Sequence, residues 1–582
     1  MKLSIKINNM INNIKRSFER FPVTILTSTA VVIMLIILSE LEFQFTPDGR
    51  EMFIRITMTV ALGIPLSACI KYIFEWMRDV KISHTILGYL IGIALLALYY
   101  LLFLRDLNWI STTRYIGISL FLYLAFLYIP WIKKKDGYEY YIIDILYNFL
   151  ITAVYSFILF LGIVIIIFTI VQLFNVDIPD KFVYYTFLIV SGIFAPSLFL
   201  AKVPEIQGES YVIEYPKSLR ILLLYIVIPL ITVYSAILYA YFLKIIVTRN
   251  WPQGLVSHLV LWYSVVSVVV IFLISPILHS NKLAHRFKVF FPKFILPILA
   301  MMFVSMGIRI NAYGITENRY FALVMGIWVL GIMIYFSLKK RLTNIVIPVS
   351  LSIVVFLSVF GPISSFSISK LSQNNRLKNL LVQNDMLIDG KISKKENIPL
   401  EDKEEISAIL MYFESKHSLE DVKYIPDKFE IEDMEAVFGF PYTEKSIDRN
   451  EYFSYYLNPA DRSAVDVKEY DYFIYSNALI NRPIEVEDLT VSLDGNIIRI
   501  VKGESLIYEM DLKEYIDELI EKKEVQLEKY DNQLDPENST FVNENDMVKV
   551  KILITTIAGR RDVFNDENLI DHIEFDMLMD IK

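Results

Sequence analysis

The sequence predicts an all-α polytopic membrane domain of about eleven transmembrane helices, followed by a soluble α+β domain. The 582 residues are 55% hydrophobic, with a mean hydropathy of +0.46, which is more apolar than a water-soluble protein of this size needs. Apolar runs of membrane length recur from residue 23 to residue 361. The charge divides near the end of these runs, because residues 365–582 carry a net −21 and the preceding residues a net +13.

Eleven apolar runs predict the membrane helices. Each reaches or approaches the ~20 residues that a helix needs to cross ~30 Å of hydrocarbon, where only helices and closed barrels satisfy their backbone hydrogen bonds. The run 343–361 contains Pro348 and is the weakest of them. The runs lie at 23–39, 53–74, 85–104, 115–132, 146–173, 182–201, 220–246, 255–278, 289–308, 320–338 and 343–361.

These runs define four predicted regions and an orientation. Lys and Arg number 21 in the connections on the side of the N-terminus and 9 on the opposite side. Basic connections stay in the cytoplasm, so we predict a cytoplasmic N-terminus and, after eleven crossings, an extracytoplasmic C-terminal domain. The regions are a basic arm at 1–22, a transmembrane domain at 23–361, a linker at 362–400 and an acidic α+β domain at 401–582.

The C-terminal domain shows both helical and strand periodicity. Residues 401–416 have apolar positions at helical spacing, and residues 511–523 repeat that pattern. Residues 484–493 alternate, and Asp494-Gly495 then supplies a hairpin turn. Further strands are predicted at 472–475, 496–501, 505–510, 548–557 and 573–579.

An outward-facing polar cluster is predicted at the outer face of the membrane. Ionisable groups at membrane depth usually face a cavity or a partner, and this set suits an anionic headgroup, with Glu317 pairing an arginine or acting as a base. The structural alternative is an aromatic belt with snorkelling cations, in which Glu317 pairs with Arg309 or Arg319 to fasten two helices. The candidate residues are Lys244, Trp251, His258, Arg309, Tyr313, Glu317, Asn318, Arg319 and Tyr320.

Tyr313-Gly-Ile-Thr-Glu-Asn-Arg-Tyr320 resembles the signature of a bacterial polytopic membrane family catalogued as domain of unknown function 4153. Arg20-Phe21-Pro22, Tyr241-Phe-Leu-Lys244 with Trp251-Pro252, and Gly361-Pro-Ile-Ser-Ser-Phe-Ser-Ile-Ser369 are similar to other stretches of that family. The resemblance runs from about residue 20 to past 370. It implies the membrane topology and brings no known activity.

Soluble-enzyme motifs are absent from the sequence. There is no phosphate-binding Gly-x-x-x-x-Gly-Lys-Ser/Thr loop, no His-Glu-x-x-His and no Gly-x-Ser-x-Gly. The six histidines have no local metal spacing, and Cys69 is the only cysteine, so no cofactor or metal is predicted.

We therefore expect a non-enzymatic protein of the bacterial cell envelope, either a transporter-like permease or a sensing and scaffolding module. Its predicted partners are the bilayer and an anionic lipid headgroup or envelope component. Nucleic acid is excluded because the acidic domain repels it. The alternative is a lipid-linked glycosyl or phosphoryl transferase that uses Glu40, Glu42 or Glu317.

Overall fold

A computed structural model gives the fold of the chain. Contacts divide it into two compact units, Met1–Ile398 with Ala408–Tyr442, and Pro399–Ser407 with Thr443–Lys582. The structure describes residues 15–41, 46–77, 81–132, 137–175, 178–204, 215–248, 255–443, 450–458, 467–476, 483–525, 532–562 and 567–582.

Within those ranges, ten helices are long and apolar enough to cross a membrane, which confirms a multi-pass membrane protein. The residues at the N-termini of the first two of these helices favour helix initiation. Pro22 and Pro47 occupy first helical turns, where a missing N–H costs nothing, and the Thr46 side chain accepts from the Gly49 amide. The helices are α1 Pro22–Glu40, α2 Pro47–Trp76, α3 Ile82–Phe103, α4 Trp109–Trp131, α5 Tyr138–Phe174, α6 Lys181–Lys202, α7 Lys217–Thr248, α8 Ser257–Ile277, α9 Lys282–Tyr313 and α10 Glu317–Leu338.

The eleventh predicted run forms a shorter helix, α11, at Val346–Val359. Its 14 residues cover about 21 Å at 1.5 Å per residue. Residues 343–363, which include α11, are nevertheless hydrogen-bonded to α10 along its whole length. The two segments are antiparallel, so the chain returns to the Glu317 end of α10. The hydrogen bonds link Thr343 to Tyr335 (2.6 Å), Trp328 to Ser350 (3.0 Å) and Tyr320 to Ile363 (2.5 Å).

Contacts collect the helix ends of this unit into two sets. At the first end, the start of α1 contacts the ends of α2 and α6. The start of α5 contacts the end of α2 and the start of α11. The start of α9 contacts the end of α10. These contacts are Arg20–Glu75 (2.9 Å), Arg20–Val203 (2.5 Å), Tyr141–Tyr72 (3.3 Å), Asn344–Glu139 (2.6 Å) and Lys288–Lys339 (2.7 Å).

The second end holds the opposite termini. Lys181 binds Glu40 at 2.8 Å, joining the start of α6 to the end of α1. The Leu107 amide donates to Glu51 at 2.9 Å, which joins the end of α3 to the start of α2. The chain therefore enters this helix bundle at the first end and, after α11, leaves it at the second end.

The segment after α11 also packs with the membrane helices, where a linker was predicted. Helix α12 (Ser365–Gln383) runs beside the start of α10, and a two-strand hairpin, β1 (Leu387–Ile388) with β2 (Lys391–Ile392), follows it. Helix α13 (Leu400–Lys416) buries Phe413 and the other apolar residues of its predicted face. The unit boundary falls inside α13, because residues 408–442, with α14 (Met434–Phe438), pack with the first unit.

The second unit contains two sheets and helix α15 (Lys513–Val525). The predicted alternating run 484–493 is interrupted at Glu487, whose φ of 57° turns the chain between two strands. One sheet is the antiparallel meander β5 (Ile484–Val486), β6 (Leu489–Asp494), β7 (Ile497–Lys502) and β8 (Ser505–Asp511). The other has the order β4 (Tyr472–Tyr475), β12 (Glu567–Ile581), β11 (Val548–Asp562), β3 (Asn450–Leu457) and β9 (Gln533–Leu534), with β10 (Thr540–Glu544) also pairing with β11.

Candidate functional site

The loop between α9 and α10 is held by α12. Gly314 ends α9 with φ +68°, a backbone conformation that favours glycine; a Cβ there would lie 2.9 Å from Nε2 of Gln373 and would displace that amide. Gln373 donates to the carbonyls of Tyr313 and Ile315, each at 3.2 Å, and Ser372 Oγ accepts from the Ile315 amide at 2.8 Å. These bonds fix the direction in which α10 begins.

Glu317 opens α10 as a buried carboxylate, with 3% of the residue exposed. Three side chains surround it: Ser369 Oγ donates to Oε1 at 2.6 Å, the Tyr412 hydroxyl lies 2.8 and 2.9 Å from the two oxygens, and His417 Nε2 lies 2.7 Å from Oε1. The first turn of a helix also favours a negative charge. Because a buried charge needs such compensation, these contacts make Glu317 the centre of the site.

The His417 side chain is fully buried, with 0% of it exposed. Its Nε2 faces a carboxylate oxygen, which can only accept, so Nε2 carries a proton. Its Nδ1 is also buried and has no hydrogen-bond partner. The imidazole of His417 therefore has a hydrogen-bond partner at Nε2 and none at Nδ1.

Tyr412 occupies the other side of the carboxylate. Burial, followed by the negative charge of Glu317, raises the pKa of its hydroxyl above the usual value. The hydroxyl stays protonated at neutral pH and serves as a donor to Glu317. Tyr412 and His417 together fasten the end of α13 to the start of α10.

Arginines gather around Tyr313, close to the start of α10. The guanidinium carbon of Arg319 lies 5.4 Å from the centre of the Tyr313 ring, and that of Arg376 lies 5.9 Å from it. Arg319 also donates to the carbonyls of Tyr313 and Gly314, at 3.1 and 2.9 Å. The charges of Arg309 and Arg376 repel that of Arg319. We call these three arginines with Tyr313 the arginine cluster.

Glu317 does not pair with Arg309 or Arg319, the partners considered from sequence. Its partners Ser369, Tyr412 and His417 lie 52, 95 and 100 positions further along the chain. Sequence reasoning placed Ser369 in a family-like stretch and gave the other two no role. Local spacing carries no signal for contacts between residues so far apart.

The remaining candidates lie in several places. Tyr320 is buried and donates to the Ile363 carbonyl, and Asn318 is exposed. Lys244 on α7 and His258 on α8 are exposed, and in the described part of the chain no hydrogen bond, ion pair or ring contact joins either side chain to the α9–α10 loop. Trp251 lies outside the described residues.

The glutamates considered for catalysis have different surroundings. Glu40 accepts from Lys181 at 2.8 Å and from the Tyr185 hydroxyl at 2.6 Å. Glu42 lies outside the described residues. Glu317 is enclosed by the three donors described above.

Comparisons with known proteins place the chain in a family. An uncharacterised protein of Pasteurella multocida (strain Pm70) is 27% identical over 235 residues, which is 39% of this chain and 39% of that protein. The match therefore spans well under half the length of that relative. No solved structure matches the chain significantly. The family model of DUF4153, a domain of unknown function, matches residues 16–396, which is more than half of the chain, and the protein belongs to this family.

Proposed function

We propose that the protein is a membrane-anchored sensing and scaffolding module of the bacterial cell envelope. In this proposal the N-terminus is cytoplasmic, and the segment after α11 with the acidic C-terminal domain is extracytoplasmic. The excess of Lys and Arg on the N-terminal side supports this orientation. The described basic residues of that count include Arg20, Lys288 and Lys339, which take part in contacts at the first end of the bundle.

The observation that carries the proposal is the Glu317 site. One buried carboxylate joins the first turn of α10 to α12 through Ser369 and to the end of α13 through Tyr412 and His417. A movement of α10 thus changes the contacts of residues 408–442, and a change in those residues acts back on α10. We call these contacts of Glu317 the joint. A joint of this kind suits a module that transmits a conformational change between the membrane helices and the segment at the membrane surface.

The joint is tested by hydrogen–deuterium exchange of the full chain in lipid nanodiscs. Glu317→Gln replaces the acceptor of three donors with an amide, and we expect exchange within residues 408–417 to accelerate about tenfold or more. A single hydrogen bond to a charged group contributes about 1.5 to 3 kcal/mol, which is sufficient for that factor.

Asn318→Ala is the matched control, because Asn318 is the exposed neighbour of Glu317 and its replacement should leave exchange unchanged. Unaltered exchange in Glu317→Gln, with normal expression, would exclude the joint. A transferase that uses Glu317 as a base would instead lose activity in cells without any change in exchange. The hydrogen bonds that occupy Glu40 and Glu317 favour the non-enzymatic function.

We also propose that an anionic lipid headgroup binds the arginine cluster. Arg309 supports this, since it makes no hydrogen bond or ion pair within the described residues, and Arg319 and Arg376 add two further positive charges beside it. Guanidinium groups bind phosphate well because they offer paired donors.

Lipid binding is measured by native mass spectrometry with phosphatidylglycerol. We expect Arg309→Gln to lower the affinity about fivefold, as the loss of ~1 kcal/mol per basic residue near an anionic surface implies. Arg341→Gln, an exposed arginine beyond the other end of α10, is the control. Equal losses in both variants would show that general surface charge, rather than the cluster, holds the lipid.

A further inference from the structure

Helix α9 consists of two parts that meet at Ile295. The first part is Lys282–Phe294, and the second is Leu296–Tyr313. The 18 residues of the second part cover about 27 Å at 1.5 Å per residue, close to the ~30 Å of a hydrocarbon core. The second part is therefore sufficient to cross the membrane, and we call the first part the basic segment.

The basic segment lies at the first end of the helix bundle. The side-chain oxygen of Asn281 caps it by accepting from the amides of Leu283 and Ala284, at 2.9 and 3.0 Å. Lys288 Nζ donates to the carbonyl of Lys339 at 2.7 Å, just after α10 ends. Because α10 is a membrane helix, this contact places the basic segment near the membrane surface.

One face of the basic segment is an exposed apolar row. The segment buries Phe287 and Phe291 against other helices. A helix advances about 100° per residue, so Leu283, Phe290 and Phe294 fall within about 40° of one another on a different face. Their exposed fractions are 42%, 68% and 49%. Exposed apolar surface of this kind is typical of a contact with a membrane or another protein.

The neighbouring face is a row of three cations. Lys282, Arg286 and Lys293 are exposed and also fall within about 40° of one another, beside the apolar row. Within the described residues, no hydrogen bond or ion pair involves their side chains. The sequence has no Asp or Glu from residue 215 to residue 316, so neither this helix nor its neighbours in sequence supply a carboxylate.

We propose that the basic segment binds the headgroups of anionic phospholipids. The lipid phosphate accepts hydrogen bonds from the cationic row, and the apolar row contacts the acyl chains next to it. This combination of an apolar face with a basic face is what attracts an amphipathic helix to an anionic membrane surface. The charge of the row selects an anionic lipid, and the exposed rings select a lipid over a free anion.

The site is separate from the arginine cluster, which lies near the start of α10 at the second end of the bundle. In the proposed orientation the first end is cytoplasmic, so the basic segment binds lipid of the inner leaflet. Only this assignment of the leaflet rests on the proposed function.

Native mass spectrometry of the full chain with phosphatidylglycerol and, separately, with phosphatidylcholine tests the cationic row. Arg309→Gln is present in every protein compared, so that the arginine cluster contributes less. We expect Lys282→Gln/Arg286→Gln/Lys293→Gln to weaken phosphatidylglycerol binding about tenfold or more, because each basic residue near the surface adds to the attraction. Binding of phosphatidylcholine should be unchanged.

Two matched variants control for net charge. Lys391→Gln/Lys423→Gln/Lys428→Gln removes the same charge from exposed positions of the same compact unit and should leave phosphatidylglycerol binding unchanged. Lys282→Arg/Arg286→Lys/Lys293→Arg keeps the charge of the row and should bind as the parent does. Equal losses in the two glutamine variants would overturn the proposal, as would equally tight binding of glycerophosphoglycerol, which has no acyl chains.

The position of the apolar row is measured with nitroxide labels in nanodiscs. In a Cys69→Ser background, Phe290→Cys and Arg286→Cys place a label on each row. We expect oxygen, which concentrates in the bilayer, to relax the label at position 290 more than a water-soluble nickel chelate does, and the reverse at position 286. Stronger relaxation by nickel at position 290 would overturn the proposal. Both measurements present lipid to both ends of the bundle, so their failure is distinct from a wrong orientation or from unaltered exchange in Glu317→Gln.

Discussion

At the scale of single residues, the Glu317 carboxylate determines what the site can do. Its three donors come from two other helices and the residue that follows the second of them, so replacing any donor leaves part of a buried charge uncompensated. The sequence made Glu317 a candidate because an acidic residue in an apolar context is costly. It could not identify the donors, because Tyr412 and His417 approach only through the packing of α13.

Tyr412→Phe isolates one of these donors. Removing the hydroxyl should destabilise the first unit by about 1.5 to 3 kcal/mol, the contribution of a hydrogen bond to a charged group, and thermal unfolding in nanodiscs measures the loss. Tyr424→Phe is the matched control, because Tyr424 is a partly exposed tyrosine of the same segment, and it should leave the unfolding temperature nearly unchanged.

Wild type and Tyr412→Phe should also differ in their pH dependence. The folded pKa of Tyr412 is raised above its unfolded value of about 10, so the stabilisation is fully present below about pH 10 and is lost as the pH rises through the folded pKa. We expect a constant difference between the two proteins from about pH 6 to 9, and a smaller one above about pH 10. A difference that disappears near neutral pH would contradict the donor role of the hydroxyl.

At the scale of elements, α11 shows what apolar length predicts and what it misses. Its 14 residues fall short of a membrane span, and residue count alone leaves its crossing undecided. Hydrogen bonds join Tyr335, Trp328 and Tyr320 to Thr343, Ser350 and Ile363, which lie before, within and after α11, so the segment follows α10 from one end to the other. The number of crossings therefore depends on pairing with a neighbouring helix, which no single run of sequence contains.

Helix α12 shows a related limit. Its polar composition is typical of a linker, yet Ser372 and Gln373 bind the α9–α10 loop and Ser369 binds Glu317. Polar residues in this helix satisfy the polar groups of a loop, so they need no contact with water. The long membrane helices and the hairpins of the meander β6–β8 were predictable because their periodicity is local, whereas the turn at Glu487 divides one predicted strand into β5 and β6. The arrangement of α12 was not, because its partners are side chains and carbonyls of another segment.

At the scale of the whole molecule, two independent observations describe the same two-ended bundle. The sequence divides Lys and Arg unequally between alternate connections, and the structure gathers the corresponding helix ends by direct contacts such as Arg20–Glu75 and Lys288–Lys339. With the pairing of residues 343–363 along α10, these contacts put the start of α1 and the end of α11 at opposite ends of the bundle, which supports the proposed odd number of crossings. The charge count then supplies the proposed direction.

The most direct measurement is the accessibility of single cysteines to a membrane-impermeant thiol reagent in intact cells, with any outer membrane permeabilised. In a Cys69→Ser background, Ala312→Cys and Ser505→Cys are exposed positions near the end of α9 and in the second unit, and Ser280→Cys is an exposed position beside the start of α9. We expect labelling of the first two and protection of Ser280→Cys until the cells are lysed. Protection of Ser505→Cys together with labelling of Ala312→Cys would contradict the odd number of crossings and would place the acidic domain in the cytoplasm.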